Sequence, residues 1–155
     1  MAESAHYTIL VVDDDELVRN LVVTLLSKLG HSSITATDGV DALDRMKGNK
    51  IDAVIADIKM PNMDGVALTR EILKRHPGLP ILVMTAFDEE YSAGDAIAAG
   101  AREYIKKPFS PDELSVQLQK MINDSETIKR LKNEKVLDEN VQDLMSELEG
   151  ALKEN

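Results

Sequence analysis

Five residues scattered along the chain have side chains that together could carry out phosphoryl transfer: Asp13, Asp14, Asp57, Thr85 and Lys107. Each lies at, or shortly after, the end of a short apolar run. In an open parallel sheet the carboxyl ends of the strands meet at one edge, and ligands bind in the crevice there. If the apolar runs are such strands, the sequence predicts one site with three carboxylates, one hydroxyl and one ammonium group.

Three carboxylates brought together repel one another unless a cation is present. Mg²⁺ fits best because it binds one or two carboxylates and bridges to phosphate oxygens, and Mn²⁺ would also fit. Asp57 is the better candidate nucleophile toward phosphorus because it ends a strand in the middle of the chain order, and Asp13 and Asp14 are adjacent, as metal ligands can be. A phosphoryl group in transfer spreads its charge over three equatorial oxygens. The metal, Lys107 and the Thr85 hydroxyl could each neutralise or bind one of them.

The elements that must position these residues alternate along the chain. Apolar runs predict strands at residues 7–12, 33–37, 53–56, 81–84 and 102–105, of which the second is the weakest. Capping residues and helical apolar spacing predict helices that begin near residues 15, 38, 66, 88 and 110. Alternation of this kind indicates a parallel sheet with helices on both faces.

Composition excludes several classes of function. The chain has 155 residues, of which 43% are hydrophobic and only 3% aromatic, and it carries a formal net charge of -10. Residues 1–122 carry net -6 and residues 123–155 net -4, so neither part has the basic surface that direct nucleic-acid binding needs. There is no cysteine, no apolar run long enough for a transmembrane helix, and no basic-then-apolar signal region. A cytoplasmic protein without membrane attachment is expected.

Residues 123–155 are predicted to form an acidic helical extension. Its apolar positions step by four and three, the spacing of a coiled-coil seam, at Leu137, Val141, Leu144, Leu148 and Ala151. A second seam at Met121, Ile128 and Leu131 is out of register with the first, because Lys135 and Asp138 interrupt the pattern. Three interpretations remain open: a solvated helix packed on its own domain, a coiled coil with a second chain, and a linker.

Four motifs together resemble the receiver domain of two-component response regulators. They are the segments 11–15 (VVDDD), 57–65 (DIKMPNMDG), 84–86 (MTA) and 106–109 (KKPF). The resemblance covers about residues 5–122, the predicted receiver domain. It implies a flavodoxin-like α/β fold, a doubly wound five-stranded parallel sheet in the order 2-1-3-4-5 with five helices, here followed by the C-terminal helical extension.

The resemblance also implies roles for the acidic residues. Asp57 would be the phosphoacceptor. Asp14 and Asp57 would ligate Mg²⁺ together with the backbone carbonyl of Lys59, and Asp13 would act largely through a water molecule on the metal.

Further roles follow from the same resemblance. Lys107 and Thr85 would bind the phosphoryl oxygens, and the Lys107–Pro108 peptide bond is expected to be cis. Thr85 and Tyr104 would form a switch, in which Thr85 moves toward the phosphoryl group and Tyr104 turns inward behind it. This movement would change the surface formed by the fourth helix, the fifth strand and the fifth helix.

A response regulator of this kind takes its phosphoryl group from a phosphohistidine of a sensor histidine kinase or phosphotransfer protein. It catalyses only its own phosphorylation and dephosphorylation, so it is not expected to be an enzyme acting on a separate substrate. A homodimer is a possible output, formed either through the C-terminal helix or through the surface of the fourth helix, fifth strand and fifth helix, here called the switch surface. The alternatives are a receiver from a larger transcriptional regulator and a non-catalytic interaction module.

Two other classes share parts of this pattern. A flavin-binding electron carrier with the same fold needs a Ser/Thr/Gly-rich phosphate loop after the first strand, where this chain has the acidic segment 13–16. A phosphohydrolase of the haloacid dehalogenase type also uses an aspartate nucleophile, but it needs an acid two residues later, where this chain has Lys59. Both classes fit less well than the receiver domain.

Overall fold

A computed structural model describes residues 6–86 and 90–153 of the chain. Strands and helices alternate throughout. In chain order they are β1 (Thr8–Val12), α1 (Glu16–Lys28), β2 (Ser32–Ala36), α2 (Gly39–Met46), β3 (Ala53–Asp57), α3 (Gly65–Arg75), β4 (Ile81–Thr85), α4 (Glu90–Ala98), β5 (Glu103–Lys106) and α5 (Pro111–Lys153).

All four strand pairings are parallel, and the strand order is β2-β1-β3-β4-β5. The predicted flavodoxin-like fold and its strand order are therefore confirmed. The second strand lies one residue earlier than predicted, at Ser32–Ala36 instead of residues 33–37, and the fifth lies one residue later, at Glu103–Lys106 instead of residues 102–105. β2 and β5 are the two edge strands, and in β2 only the last residue is fully buried, so its sequence carries little apolar pattern to fix its ends.

The strands in the middle of the sheet are apolar because both of their faces are covered. Every residue of β3 and β4 is buried, as are Ile9–Val12 in β1. Leu10, Val54 and Val83 belong to a core cluster that also contains residues of α2, α3 and α4. Successive strand residues point to opposite faces, which places the neighbouring residues of these strands on the other face of the sheet. Aliphatic and methionine side chains fill this core, in agreement with the low aromatic content.

Three helices begin with an aspartate cap shortly after a strand. Asp15 accepts a hydrogen bond from the Leu17 amide, and Asp64 accepts one from Ala67. Asp38 caps α2 in the same way. These side chains satisfy amide groups that have no partner within the helix. They also start each helix close to the carboxyl edge of the sheet, where the predicted site residues lie.

The chain forms two compact units, Met1–Met121 and Ile122–Asn155, and helix α5 contains residues of both. Within the second unit, the described apolar side chains are mostly exposed: Leu131, Val141, Leu144, Met145 and Leu148 are each 52–65% exposed. Leu137 of the predicted seam lies outside the residues whose side chains are described. None of the described helices combines the length and the apolar character needed to cross a bilayer.

Candidate phosphoryl-transfer site

The predicted site residues follow four adjacent strands of the sheet. Asp13 comes directly after β1, and Asp57 is the last residue of β3. Thr85 is the last residue of β4, and Lys107 comes directly after β5. The register pairs Val12 with Ala56, so the next residues, Asp13 and Asp57, lie side by side at the same edge. Strand order and register thus bring residues far apart in the sequence to one place.

Three carboxylates form the centre of this site. Oxygens of Asp13, Asp14 and Asp57 all lie within 4.8 Å of one another. Asp13 is fully buried and Asp57 nearly so, whereas Asp14 is exposed. The Asp13 side chain is held in place because its Oδ1 accepts a hydrogen bond of 2.9 Å from the Asp15 amide. The site therefore presents a cluster of oxygen ligands that opens to solvent on the side of Asp14.

The Lys107 ammonium group lies between two of these carboxylates. Its Nζ is 2.9 Å from Oδ2 of Asp13 and 3.3 Å from Oδ2 of Asp57. The Lys107 backbone amide donates to the Thr85 carbonyl, which fixes the start of the segment after β5. The peptide bond from Lys107 to Pro108 is cis. The end of β5 and the contacts with two carboxylates therefore set the position of the Lys107 ammonium group.

The charges of the cluster change the acidity of its members. Burial and the negative charge of Asp13 raise the pKa of Asp57 from 3.8 to about 6, although the Lys107 ammonium opposes the change. Burial alone would lower the pKa of Lys107. The hydrogen bond to Asp13 and the charges of Asp57 and Asp13 outweigh burial, so the pKa of Lys107 is raised and the side chain stays charged. Lys107 pairs with two of the three carboxylates, so the described ion pairs leave the cluster with a net negative charge.

The other predicted residues lie nearby in the fold but in different environments. Thr85 is buried at the end of β4, and Lys59 is exposed in the loop after β3. Tyr104 is 44% exposed on β5. It lines one groove with Ala93 and Ile97 of α4 and a second groove with residues of α5.

Two contacts at this edge were not predicted from the sequence. Arg19 in α1 donates a 2.7 Å hydrogen bond to the backbone carbonyl of Asp13. Gly65 starts α3 so close to β3 that a Cβ atom there would lie 2.8 Å from the Ile58 Cα atom and collide with the Asp57 carbonyl. The glycine of the 57–65 motif could have indicated such a close approach. No signal in the sequence points to Arg19.

The parallel sheet, its strand order and the acidic cluster at its carboxyl edge together define a flavodoxin-like receiver domain. The family model described as the response regulator receiver domain matches residues 9–119, and the chain belongs to this family. The resemblance noted in the sequence is thereby confirmed.

Individual relatives agree with this assignment. The chain is 41% identical to response regulator MprA of Mycobacterium sp. (strain KMS) over 114 residues, which cover 74% of this chain and 50% of that protein. It is 36% identical to the alkaline phosphatase synthesis transcriptional regulatory protein PhoP of Bacillus subtilis (strain 168) over 118 residues, 76% of this chain and 49% of that one. The chain thus spans about half the length of the curated relatives it matches.

Solved structures show the same fold. The receiver domain of NtrX from Brucella abortus superimposes with a TM-score of 0.71 and is 37% identical. The match covers 74% of this chain and 98% of that domain. The fold of this chain is therefore that of a response regulator receiver domain.

Proposed function

We propose that Asp57 accepts a phosphoryl group from a phosphohistidine of a sensor histidine kinase or phosphotransfer protein, with Mg²⁺ as cofactor. The observation that carries the proposal is the crowding of the Asp13, Asp14 and Asp57 oxygens within 4.8 Å, next to one shared ammonium group. A purely structural cluster of acids would be stabilised by matching cations or amide donors. Here, within the described part of the chain, the three carboxylates carry more negative charge than the Lys107 ammonium group neutralises.

The donor set suits a hard divalent cation. Mg²⁺ prefers carboxylate and carbonyl oxygens, and Mn²⁺ accepts the same ligands. Asp13, Asp14, Asp57 and the backbone carbonyl of Lys59 would hold the ion. When bound, it supplies positive charge to a phosphoryl oxygen and removes the repulsion among the carboxylates.

The chemical step then depends on the chain's own residues. An Asp57 carboxylate oxygen forms a bond to phosphorus while the bond from phosphorus to the donor imidazole nitrogen breaks, and that nitrogen keeps the electron pair. The raised pKa of Asp57, about 6, still leaves the carboxylate mostly ionised at neutral pH. Lys107, already 3.3 Å from Asp57, would pair with one phosphoryl oxygen, and the Thr85 hydroxyl would donate to another. In this scheme the domain catalyses only its own modification.

A switch at Thr85 and Tyr104 would carry the signal outward. The Tyr104 ring is half-exposed between a groove against α4, of about 440 Å³, and a groove against α5. An inward turn of the ring would open space on this surface and change its shape. The surface formed by α4, β5 and α5 is thus the proposed site for dimerisation or for a partner protein.

The exposed apolar residues of the second unit favour a further output. Val141, Leu144 and Leu148 are more than half exposed and have coiled-coil spacing, so we propose that they pair with the same helix of a second copy. The alternative is that the chain is the receiver of a larger transcriptional regulator. The share of about half that it covers in its curated relatives favours this second candidate.

The experiment that tests the proposed chemistry is intact-protein mass spectrometry after incubation with acetyl phosphate and Mg²⁺. One phosphoryl group should be added to the unchanged protein and none to Asp57→Asn. Addition that is independent of Mg²⁺, or equal in both proteins, would contradict the proposal. Light scattering with and without beryllofluoride, a phosphoryl mimic, then tests the output. Dimerisation that depends on the mimic supports the switch surface, and a dimer in both states supports the C-terminal helix.

A further inference from the structure

The loop between β3 and α3, residues 58–64, is held at its two ends by the fold. The Gly65 amide donates a 2.7 Å hydrogen bond to the Ile58 carbonyl, so the loop closes on itself. Gly65 also lies where a side chain would collide with β3. Lys59 directly follows the held residue Ile58, and within the loop the Met63 amide donates a 2.7 Å hydrogen bond to the Pro61 carbonyl.

The middle of the loop is held by α2. Asn62 has a φ of 70°, in the left-handed region that residues other than glycine rarely adopt. Its side-chain amide donates a 2.8 Å hydrogen bond to Oδ2 of Asp38, the residue that caps α2. We call this contact the Asp38–Asn62 bridge. It joins the loop that follows β3 to the helix that follows β2.

Both oxygens of Asp38 are used. Oδ1 accepts the 2.7 Å hydrogen bond from the Asp41 amide, and Oδ2 accepts from Asn62. The hydrogen bond from Asp41, followed by that from Asn62, lowers the pKa of Asp38, so the bridge contains an ionised acceptor. A hydrogen bond to an ionised group is stronger than one between neutral groups.

Packing next to the bridge keeps the two segments in contact. A Cβ atom at Gly39 would lie only 2.8 Å from the Cβ and Cγ atoms of Met63. The first residue of α2 therefore has to be small for the loop to approach it. Loop and helix therefore contact each other at Asn62 and at the next residue, Met63.

We propose that Asp38 and Asn62 are positioning residues for the cation site, because their bridge holds the β3–α3 loop in the conformation in which the Lys59 carbonyl can serve as a ligand. This inference rests on the proposed function, in which that carbonyl helps to hold Mg²⁺. Neither residue needs to touch the ion. Groups that orient ligands from behind are known to change metal affinity by about 10- to 100-fold, and an exposed bridge belongs at or below the low end of that range.

Two substitutions break the bridge from opposite sides. Asn62→Gly keeps the net charge and tolerates the positive φ, but it removes the donor. Asp38→Ser keeps a capping oxygen for α2, but it removes the second acceptor. Asp44→Asn, an exposed change on the same helix, controls for the charge that Asp38→Ser removes. The exchange Asp38→Asn with Asn62→Asp keeps the net charge and restores a bridge of reversed polarity.

Mg²⁺ affinity is measured by isothermal titration calorimetry on the full chain at neutral pH, with thermal unfolding of the metal-free variants as a control for folding. We expect Asn62→Gly and Asp38→Ser each to weaken Mg²⁺ binding by about threefold to tenfold. The double variant Asp38→Ser, Asn62→Gly should bind Mg²⁺ with about the affinity of the weaker-binding single variant, because both changes remove the same contact. The exchanged pair should bind within about twofold of the unchanged protein, as should Asp44→Asn.

The proposed role of the bridge would be overturned if the double variant lost Mg²⁺ affinity by the product of the two single losses. It would also be overturned if the exchanged pair bound Mg²⁺ as weakly as Asn62→Gly. Mg²⁺ binding by both single variants at the affinity of the unchanged protein would overturn this inference alone and leave the proposed function in place. Failure of the unchanged protein to bind Mg²⁺ or to phosphorylate Asp57 would overturn both.

Discussion

The two edges of the sheet use buried polar groups in opposite ways. At the amino edge, Asp52 accepts a 2.8 Å hydrogen bond from the Thr8 amide, and His31 accepts one of 3.1 Å from the Tyr7 amide through Nδ1. At the carboxyl edge, three carboxylates lie together and one ammonium group pairs with two of them. The side chains at the amino edge accept from backbone amides, whereas the carboxyl edge collects more negative charge than its ammonium group neutralises.

The polar groups at the amino edge thus stabilise the fold, whereas those at the carboxyl edge are, on the proposed function, ligands for a cation. A buried polar group with a partner costs little, whereas a buried charge without enough partners destabilises the folded state. On the proposed function, a bound cation would offset that cost at the carboxyl edge by neutralising part of the negative charge. Substitutions at the two edges should therefore have opposite effects on stability and separate effects on phosphorylation.

The largest expected effect separates the two edges by function. Asp57→Asn should abolish phosphoryl uptake, because an amide oxygen cannot replace the carboxylate as nucleophile. Asp52→Asn, at the amino edge, keeps an acceptor oxygen for the Thr8 amide and should be phosphorylated normally. Intact mass after treatment with acetyl phosphate and Mg²⁺ measures both. Loss of uptake in the Asp52 variant would show that the edges are not independent.

The next effect is a gain in stability at the carboxyl edge. The pKa of Asp57 is raised from 3.8 to about 6, so folding favours the protonated form, and stability is lost as the pH rises from about 4 through 6. Without metal at pH 7.5, Asp57→Asn should raise the free energy of unfolding by up to about 3 kcal/mol. Urea denaturation at pH 7.5 and pH 4 measures it. The gain should shrink at pH 4, and a gain of equal size at both pH values would contradict the charge explanation.

At the amino edge the same kind of change should have the opposite sign. Asp52→Ala removes the acceptor of the Thr8 amide at the start of β1 and should lower the free energy of unfolding by about 1–2 kcal/mol. Asp52→Asn is the matched control and should lose less. Both free energies are measured by urea denaturation at pH 7.5, and an unchanged stability in Asp52→Ala would show that water replaces the lost acceptor.

The smallest effect is a pH dependence at the amino edge. Burial, with the neighbouring His6, lowers the pKa of His31 below 6.5, and a protonated ring can no longer accept from the Tyr7 amide. Folding therefore favours the neutral ring, and stability is lost as the pH falls below about 6.5. His31→Gln keeps an acceptor that does not titrate. Between pH 7.5 and pH 5, the free energy of unfolding should fall more steeply with decreasing pH for the unchanged protein than for this variant.

Much of the site could be predicted because it depends on the ends of strands. Asp13 and Asp57 follow continuous apolar runs, and the parallel topology places such ends together whatever the intervening sequence. The end of the second strand was wrong by one residue, because an exposed edge strand has a weak pattern. The fifth helix and the predicted extension are one continuous helix, Pro111–Lys153. No glycine that could end it occurs before Gly150.

The contacts that hold the site in place could not be predicted. The hydrogen bond from Arg19 to the Asp13 carbonyl and the Asp38–Asn62 bridge depend on how loops and helices pack, not on local pattern. Asn62 gives only a weak signal, since asparagine tolerates a positive φ but is common in ordinary turns. Sequence pattern thus located the residues that could react and missed the residues that hold them.

The half-exposed ring of Tyr104 has a consequence for spectroscopy. The chain contains no tryptophan and only three tyrosines, so its intrinsic fluorescence is weak and would add little background to the signal of an introduced tryptophan. A tryptophan substituted for Tyr104 would be the sole indole in the protein, placed between the α4 and α5 grooves on the proposed switch surface. The wavelength of its emission would then give an optical reading of the switch, in real time and without any partner protein.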